Sequence, residues 1–235
     1  MSKLILIAGL AFGLGGSAQP GASMPDLDQA PPDAVSVVAR DGRLLLVFAS
    51  AVDNVGPGPL VVHARRVGGV MRAWQVIGER RYALHTPLRY VHSATHQHWH
   101  FPGFERYELR RARDGALVGR DHKTGFCLRD AYETRALNRA PVWNAECGRR
   151  QPAARTVRQG ISPGFGDDYV PEKEGQSIDV TGLEPARYVV VHRANPDREL
   201  RERSYANNAA SVLVELRGRH VRVLARCPKS ASCGT

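Results

Sequence analysis

The chain has 235 residues, 43% of them hydrophobic and 24% charged, and its Lys and Arg exceed Asp and Glu by ten. That is ordinary globular material, enough for one domain with a core, and nothing in it argues for two. The basic excess fits anionic cell-envelope polymers or acidic proteins as neighbours. The arginines are spread along the whole sequence with no recognition helix, RNA-binding signature or aromatic-basic platform, which argues against nucleic acid.

The N-terminus reads as an export signal over residues 1–18. Lys3 gives a positive start, Leu4 to Leu14 a short apolar run, and Gly16-Ser17-Ala18 a small-residue cleavage site before Gln19. The run is too short to span a bilayer, so no stable membrane insertion is expected and the product is secreted or held at the cell envelope. A start at Met24 would delete this segment. Residues 19–33, rich in proline and polar side chains, are expected as a disordered N-terminal arm, with residues 34–235 forming a single domain.

The first element is a hairpin. Val35 to Arg40 and Arg43 to Phe48 flank Asp41-Gly42, a pair that tolerates the positive φ angles of a tight turn. Asn54 to Pro59 is then a loop, and Leu60 to His63 returns as a strand. His63 and His85 are isolated and read as structural or solvated. Arg89-Tyr-Val-His92 leads toward Thr95 to Phe101, where His96, His98 and His100 recur at a spacing of two. In one extended strand they share a face, about 6.6 to 7 Å apart along the backbone, and can close on one ion. Imidazole suits Zn, Cu, Ni and Fe. Gln97, Trp99 and Phe101 fall on the opposite face. His92 would share the histidine face if the strand stayed regular that far.

Glu105 to Arg110 and Ala116 to Val118 bracket Asp114-Gly115 as a second hairpin. Ala131 to Leu137 is compatible with a short helix, and Pro141, Pro152 and scattered arginines suggest a long surface excursion over 130–160. Strands return at Arg187 to His192, Ala209 to Leu216 and His220 to Ala225. The pattern predicts an all-β fold, an antiparallel β-sandwich with long loops and little helix. Four cysteines in an exported protein suggest disulfides, with three connectivities open. Cys227 and Cys233 are close in sequence, which leaves Cys127 with Cys147.

Three segments carry a family resemblance. His96-Gln97-His98-Trp99-His100 resembles the copper-binding His-Gln-His-Tyr-His run of the lysyl oxidases, with Trp99 replacing the tyrosine. Asp121 to Leu128, which includes His122, Lys123, Phe126 and Cys127, resembles the family's Gly-His-Lys-x-x-Phe-Cys-Leu segment. Gln159 to Gly164, followed by Asp167-Asp168-Tyr169, resembles a third. The likeness runs over residues 34–216. Animal members have a His where Arg106 stands and more cysteines than the four found here.

The resemblance implies copper on His96, His98 and His100. It also implies a lysine tyrosylquinone made from Lys123 and Tyr169, the catalytic pair. The implied reaction is oxidative deamination of a primary amine or lysine-containing protein by molecular oxygen, giving aldehyde, ammonia and hydrogen peroxide. Asp167 and Asp168 are the nearest candidates for the base, against the plain reading of a solvated acidic turn. The rival reading is an exported copper-binding β-sandwich without oxidase activity.

Overall fold

The computed structural model describes residues 23–93, 97–121, 125–136, 140–144, 147–173 and 175–234. Seventeen strands and no helix occur among them. In chain order they are β1 (Leu27–Gln29), β2 (Asp33–Arg40), β3 (Arg43–Asn54), β4 (Leu60–Val67), β5 (Val70–Ile77), β6 (Arg80–Ala83), β7 (Arg89–His92), β8 (Gln97–His100) and β9 (Glu105–Arg111). They continue as β10 (Leu117–Arg120), β11 (Tyr132–Glu133), β12 (Thr156–Ile161), β13 (Phe165–Tyr169), β14 (Ser177–Asp179), β15 (Ala186–Ala194), β16 (Ala209–Arg217) and β17 (His220–Cys227). Every pairing between them is antiparallel.

β3 organises the first sheet because it is long enough to change partners. Its first half pairs with β2 and β14, and its second half with β1 and β13. The turn into it is the expected one: Asp41 and Gly42 both take positive φ, 50° and 73°, which suits the twist of a two-residue hairpin. A second sheet runs β10-β9-β15-β16-β17, and a third β12-β4-β5-β6. Phe48 of β3 meets Tyr107 of β9 edge-on at 5.0 Å and the His192 ring of β15 at 4.7 Å, so the first two sheets pack face to face. One apolar cluster takes in Leu46 and Phe48 from the first sheet, Leu109, Val190 and Val212 from the second, and Leu60 and Val62 from the third. The fold is therefore the all-β class expected.

Two expectations are corrected. The arm predicted over residues 19–33 is ordered wherever it is described. Leu27 is fully buried, β1 pairs with Val52 to Asn54, and Pro25 accepts a hydrogen bond from the Arg203 N–H. Residues 1–22, with the expected signal and its cleavage site, lie outside the described residues. The helix expected from Ala131 is instead β11, whose Tyr132 and Glu133 pair with Gly166 and Phe165. There tertiary pairing, with the Tyr132 hydroxyl bonded to Asp53, overrides a helical composition.

Glu202 fastens the N-terminal segment. Its buried carboxylate accepts from the Leu27 N–H at 2.8 Å, Asn195 Nδ2 at 2.5 Å and Asn208 Nδ2 at 2.8 Å. Burial nevertheless raises its pKa from 4.5 to about 7. The folded state thus holds the proton more tightly than the unfolded chain. The stabilisation is complete below pH 4.5 and is lost as pH rises through about 7. Glu202→Ala strands three buried donors and should cost about 2–4 kcal/mol in urea unfolding, and it should also flatten the fall in stability over that pH interval.

Candidate functional site

β7 and β8 form a hairpin in which Arg89 faces His100 and His92 faces Gln97. His92 stands opposite Gln97 in an antiparallel ladder, so it is not on a continuous strand with the histidine run. It stays exposed, its ring against Tyr90 at 4.6 Å. Within β8 the period of two does what was expected of it. His98 and His100 share a face, their ring centres 4.7 Å apart and their Nε2 atoms 2.8 Å apart, with His100 buried. His96 lies outside the described residues. Among the described residues no group of three or more His, Cys, Asp or Glu side chains converges on one point.

The pair fits a metal. Imidazole bonds of roughly 2.0–2.1 Å meeting at a right angle put two nitrogens about 2.9 Å apart, and tetragonal geometry with nitrogen donors is the preference of Cu(II). On the opposite face Trp99 is buried, its indole N–H donating to the Gln151 carbonyl at 3.0 Å and the Arg66 guanidinium over its ring at 5.2 Å. Phe101 is also buried, while Gln97 is exposed.

The strand is joined to the second motif through backbone. Phe101 and Phe126 exchange N–H to O hydrogen bonds at 2.7 and 3.1 Å. This brings Gly125 against His100: a Cβ there would stand 2.9 Å from the His100 Cβ, and the φ of +133° independently favours glycine. Lys123 lies outside the described residues. Two residues to either side, Asp121 is bonded through its backbone N–H to Tyr107, and Gly125 is packed as just described.

Phe126 leads on to the third motif. Its ring meets that of Tyr169 edge-on at 5.0 Å. The Tyr169 hydroxyl donates to Asp167 Oδ2 at 2.9 Å and lies 3.3 Å from the Cys127 carbonyl. The acidic pair is no solvated turn, because both residues are on β13. Asp167 faces inward with Tyr169 and is 1% exposed, whereas Asp168 is half-buried and pairs with Arg129 at 3.5 Å. Arg129 also reaches Asp167 at 3.4 Å.

Burial raises the Asp167 pKa to about 8, with the Tyr169 hydrogen bond and Arg129 pulling against it and Glu105 adding to it. The Tyr169 phenol is pushed well above its usual value by burial and by the Asp167 carboxyl. Both groups therefore hold a proton near neutrality.

Both disulfides form as paired above, Cys127 with Cys147 and Cys227 with Cys233. The first braces the site. The Cys147 carbonyl accepts the Trp99 N–H at 2.9 Å, while the Cys127 carbonyl lies beside the Tyr169 hydroxyl.

Sequence reasoning missed the polar support of this region. Ser50 donates to Glu105 at 2.8 Å and Tyr107 donates to the other oxygen of Glu105 at 2.6 Å, all three side chains being buried. Asp130 accepts from the backbone N–H groups of Val142, Trp143 and Ser162 and from the Ser162 hydroxyl, which fixes the turn before β13. No spacing or composition signal marks either carboxylate. Arg106 is held by Asp197 through two contacts of 2.9 Å. His63 is half-buried and accepts from Arg158 at 2.9 Å, and burial and the cations of Arg158 and Arg81 lower its pKa; His85 is exposed. Neither reaches the site just described.

Residues 71–227 match the family described as Lysyl oxidase. The chain is 30% identical over 183 residues to lysyl oxidase homolog 1 of Homo sapiens, an alignment covering 77% of this chain and 26% of that protein. It is 31% identical over 182 residues to protein-lysine 6-oxidase of Rattus norvegicus and of Sus scrofa, covering 77% of this chain and 36% and 60% of those proteins. The chain therefore spans less than two thirds of the length of each.

Proposed function

Because the chain belongs to the lysyl oxidase family, we propose that it is an exported, copper-dependent amine oxidase. A primary amine, either peptidyl lysine or a small monoamine or diamine, reacts with one O₂ and one water to give the aldehyde, ammonia and hydrogen peroxide. The observation that carries this reading is the half-buried Tyr169 phenol resting on the buried Asp167, linked through Phe126 and Phe101 to a strand that presents two convergent imidazoles. Two disulfides support an oxidising, extracytoplasmic destination.

In this reading His96, His98 and His100 hold the copper, and Lys123 and Tyr169 are the side chains joined as lysine tyrosylquinone. Together these groups supply the electron-accepting chemistry that the twenty ordinary side chains lack. The rest falls to neighbouring residues. In its ionised form Asp167 can take the Tyr169 O–H proton, and it is placed to remove the proton from the substrate carbon next to nitrogen. Arg129 orients that carboxyl, and the Phe126 ring packs against the Tyr169 ring and keeps water from that side. The Cys127–Cys147 bond keeps the phenol and the histidine strand in register.

A base must be unprotonated to act, and the ionised form of Asp167 grows as pH rises through about 8. Turnover should therefore climb with an inflection near that pH. Asp167→Asn should lose the inflection and about two to four orders of magnitude in rate, measured as peroxide release across a pH series. The overall reading is tested by loading the protein with copper in air, adding primary amines and assaying aldehyde, ammonia and peroxide. Equal yields of the three support it. Copper bound at full stoichiometry with none of them produced returns the protein to the class of copper-binding sandwiches.

A further inference from the structure

The arginines that look scattered in the sequence are gathered by the fold. The four strands β12, β4, β5 and β6 contain six arginines and no aspartate or glutamate. The ladder register puts four of them on the outer face of this sheet, where Arg158, Arg65, Arg72 and Arg81 are all exposed. Among the described residues, none of the four is ion-paired with a carboxylate. Arg65 and Arg72 stand directly opposite one another across the β4–β5 ladder. Like charges in that position are destabilising, so the arrangement is held against a cost in stability.

The same face is apolar between its cations. A trough of about 680 Å³ is lined by Val67, Val70, Trp74, Leu84 and Pro87 together with three of these arginines. Val67 and Val70, at the hairpin end, are 50% and 45% exposed. The Arg81 guanidinium stands over the Trp74 ring at 5.5 Å.

From these features the geometry points to a docking surface for an acidic polypeptide segment that carries apolar side chains. The guanidiniums take its carboxylates, pairwise where Arg65 and Arg72 adjoin, and the trough takes the apolar groups between them. A sulfated glycan or a nucleic acid would satisfy the cations but leave the valines and the proline without a partner. The surface is separate from the histidine and tyrosine residues of the proposed oxidase site, and its occupancy does not depend on that chemistry.

The test uses the whole disulfide-bonded protein and a short fluorescent peptide alternating glutamate and leucine, followed by anisotropy. Saturable binding is expected that weakens as salt is raised. Arg72→Glu should weaken it roughly tenfold and Arg72→Glu with Arg81→Glu roughly a hundredfold. Arg72→Glu should also unfold at or above the parent temperature, since it turns a repelling cross-strand pair into an attracting one; this separates lost binding from lost structure. Three results would overturn the proposal. They are a double variant that binds the peptide as tightly as the parent, a glutamate–serine peptide that binds as well as the glutamate–leucine one, and dextran sulfate or oligothymidylate losing affinity in the double variant where the peptide does not.

Discussion

Tyr169→Phe is expected to bring amine-dependent peroxide release down by about a thousandfold or more, to background, in a protein that remains folded. The substitution removes one oxygen and leaves the ring, so the edge-on contact with Phe126 persists. What goes is the hydrogen bond to Asp167, which should cost about 1 kcal/mol in urea unfolding. Copper uptake should be unaffected, because the imidazoles are on a different strand. A variant that keeps turning over amine would leave the Tyr169 oxygen without its proposed role, whatever else the site does.

The second large effect is in the disulfide between Cys127 and Cys147, which closes a loop with a sequence separation of 20. Replacing both cysteines by serine should cost about 3 kcal/mol by the chain-entropy account. It should also lower copper affinity roughly tenfold or more, as loss of support behind metal ligands commonly does. The reason is local: the carbonyl of one half holds the Trp99 N–H of the histidine strand, and that of the other lies against the Tyr169 hydroxyl. Cys227 and Cys233 are the control. Their separation is only 6 residues, and they lie at the far end of the second sheet. Their double serine variant should lose about 2 kcal/mol and bind copper as before.

Much of the fold was legible where side chains alternate or turns carry a signature. The Asp41-Gly42 hairpin follows from its turn pair, the Arg187 to His192 strand from a short β-branched run, and the shared face of His98 and His100 from a period of two. The ordered arm was not legible, since one buried leucine among prolines and acids leaves no pattern. Neither was β13, whose Phe-Gly-Asp-Asp-Tyr run lacks the apolar alternation of a strand yet buries Asp167. Residues such as Glu105 and Asp130 are recognised only once distant donors surround them. The arginine face belongs to the same class. Arg65, Arg72, Arg81 and Arg158 are far apart in the chain, and only the register of four strands puts them side by side.

The proposed chemistry requires that residues 123 and 169 end in one covalent group, and a peptide map of the protein after exposure to copper and air addresses that requirement without any substrate. Digestion should yield a single joined species carrying Lys123 and Tyr169, in place of the two separate peptides, and its absorbance should shift on adding phenylhydrazine. Recovery of both peptides apart and unmodified, from protein with its copper fully bound, would contradict the oxidase reading.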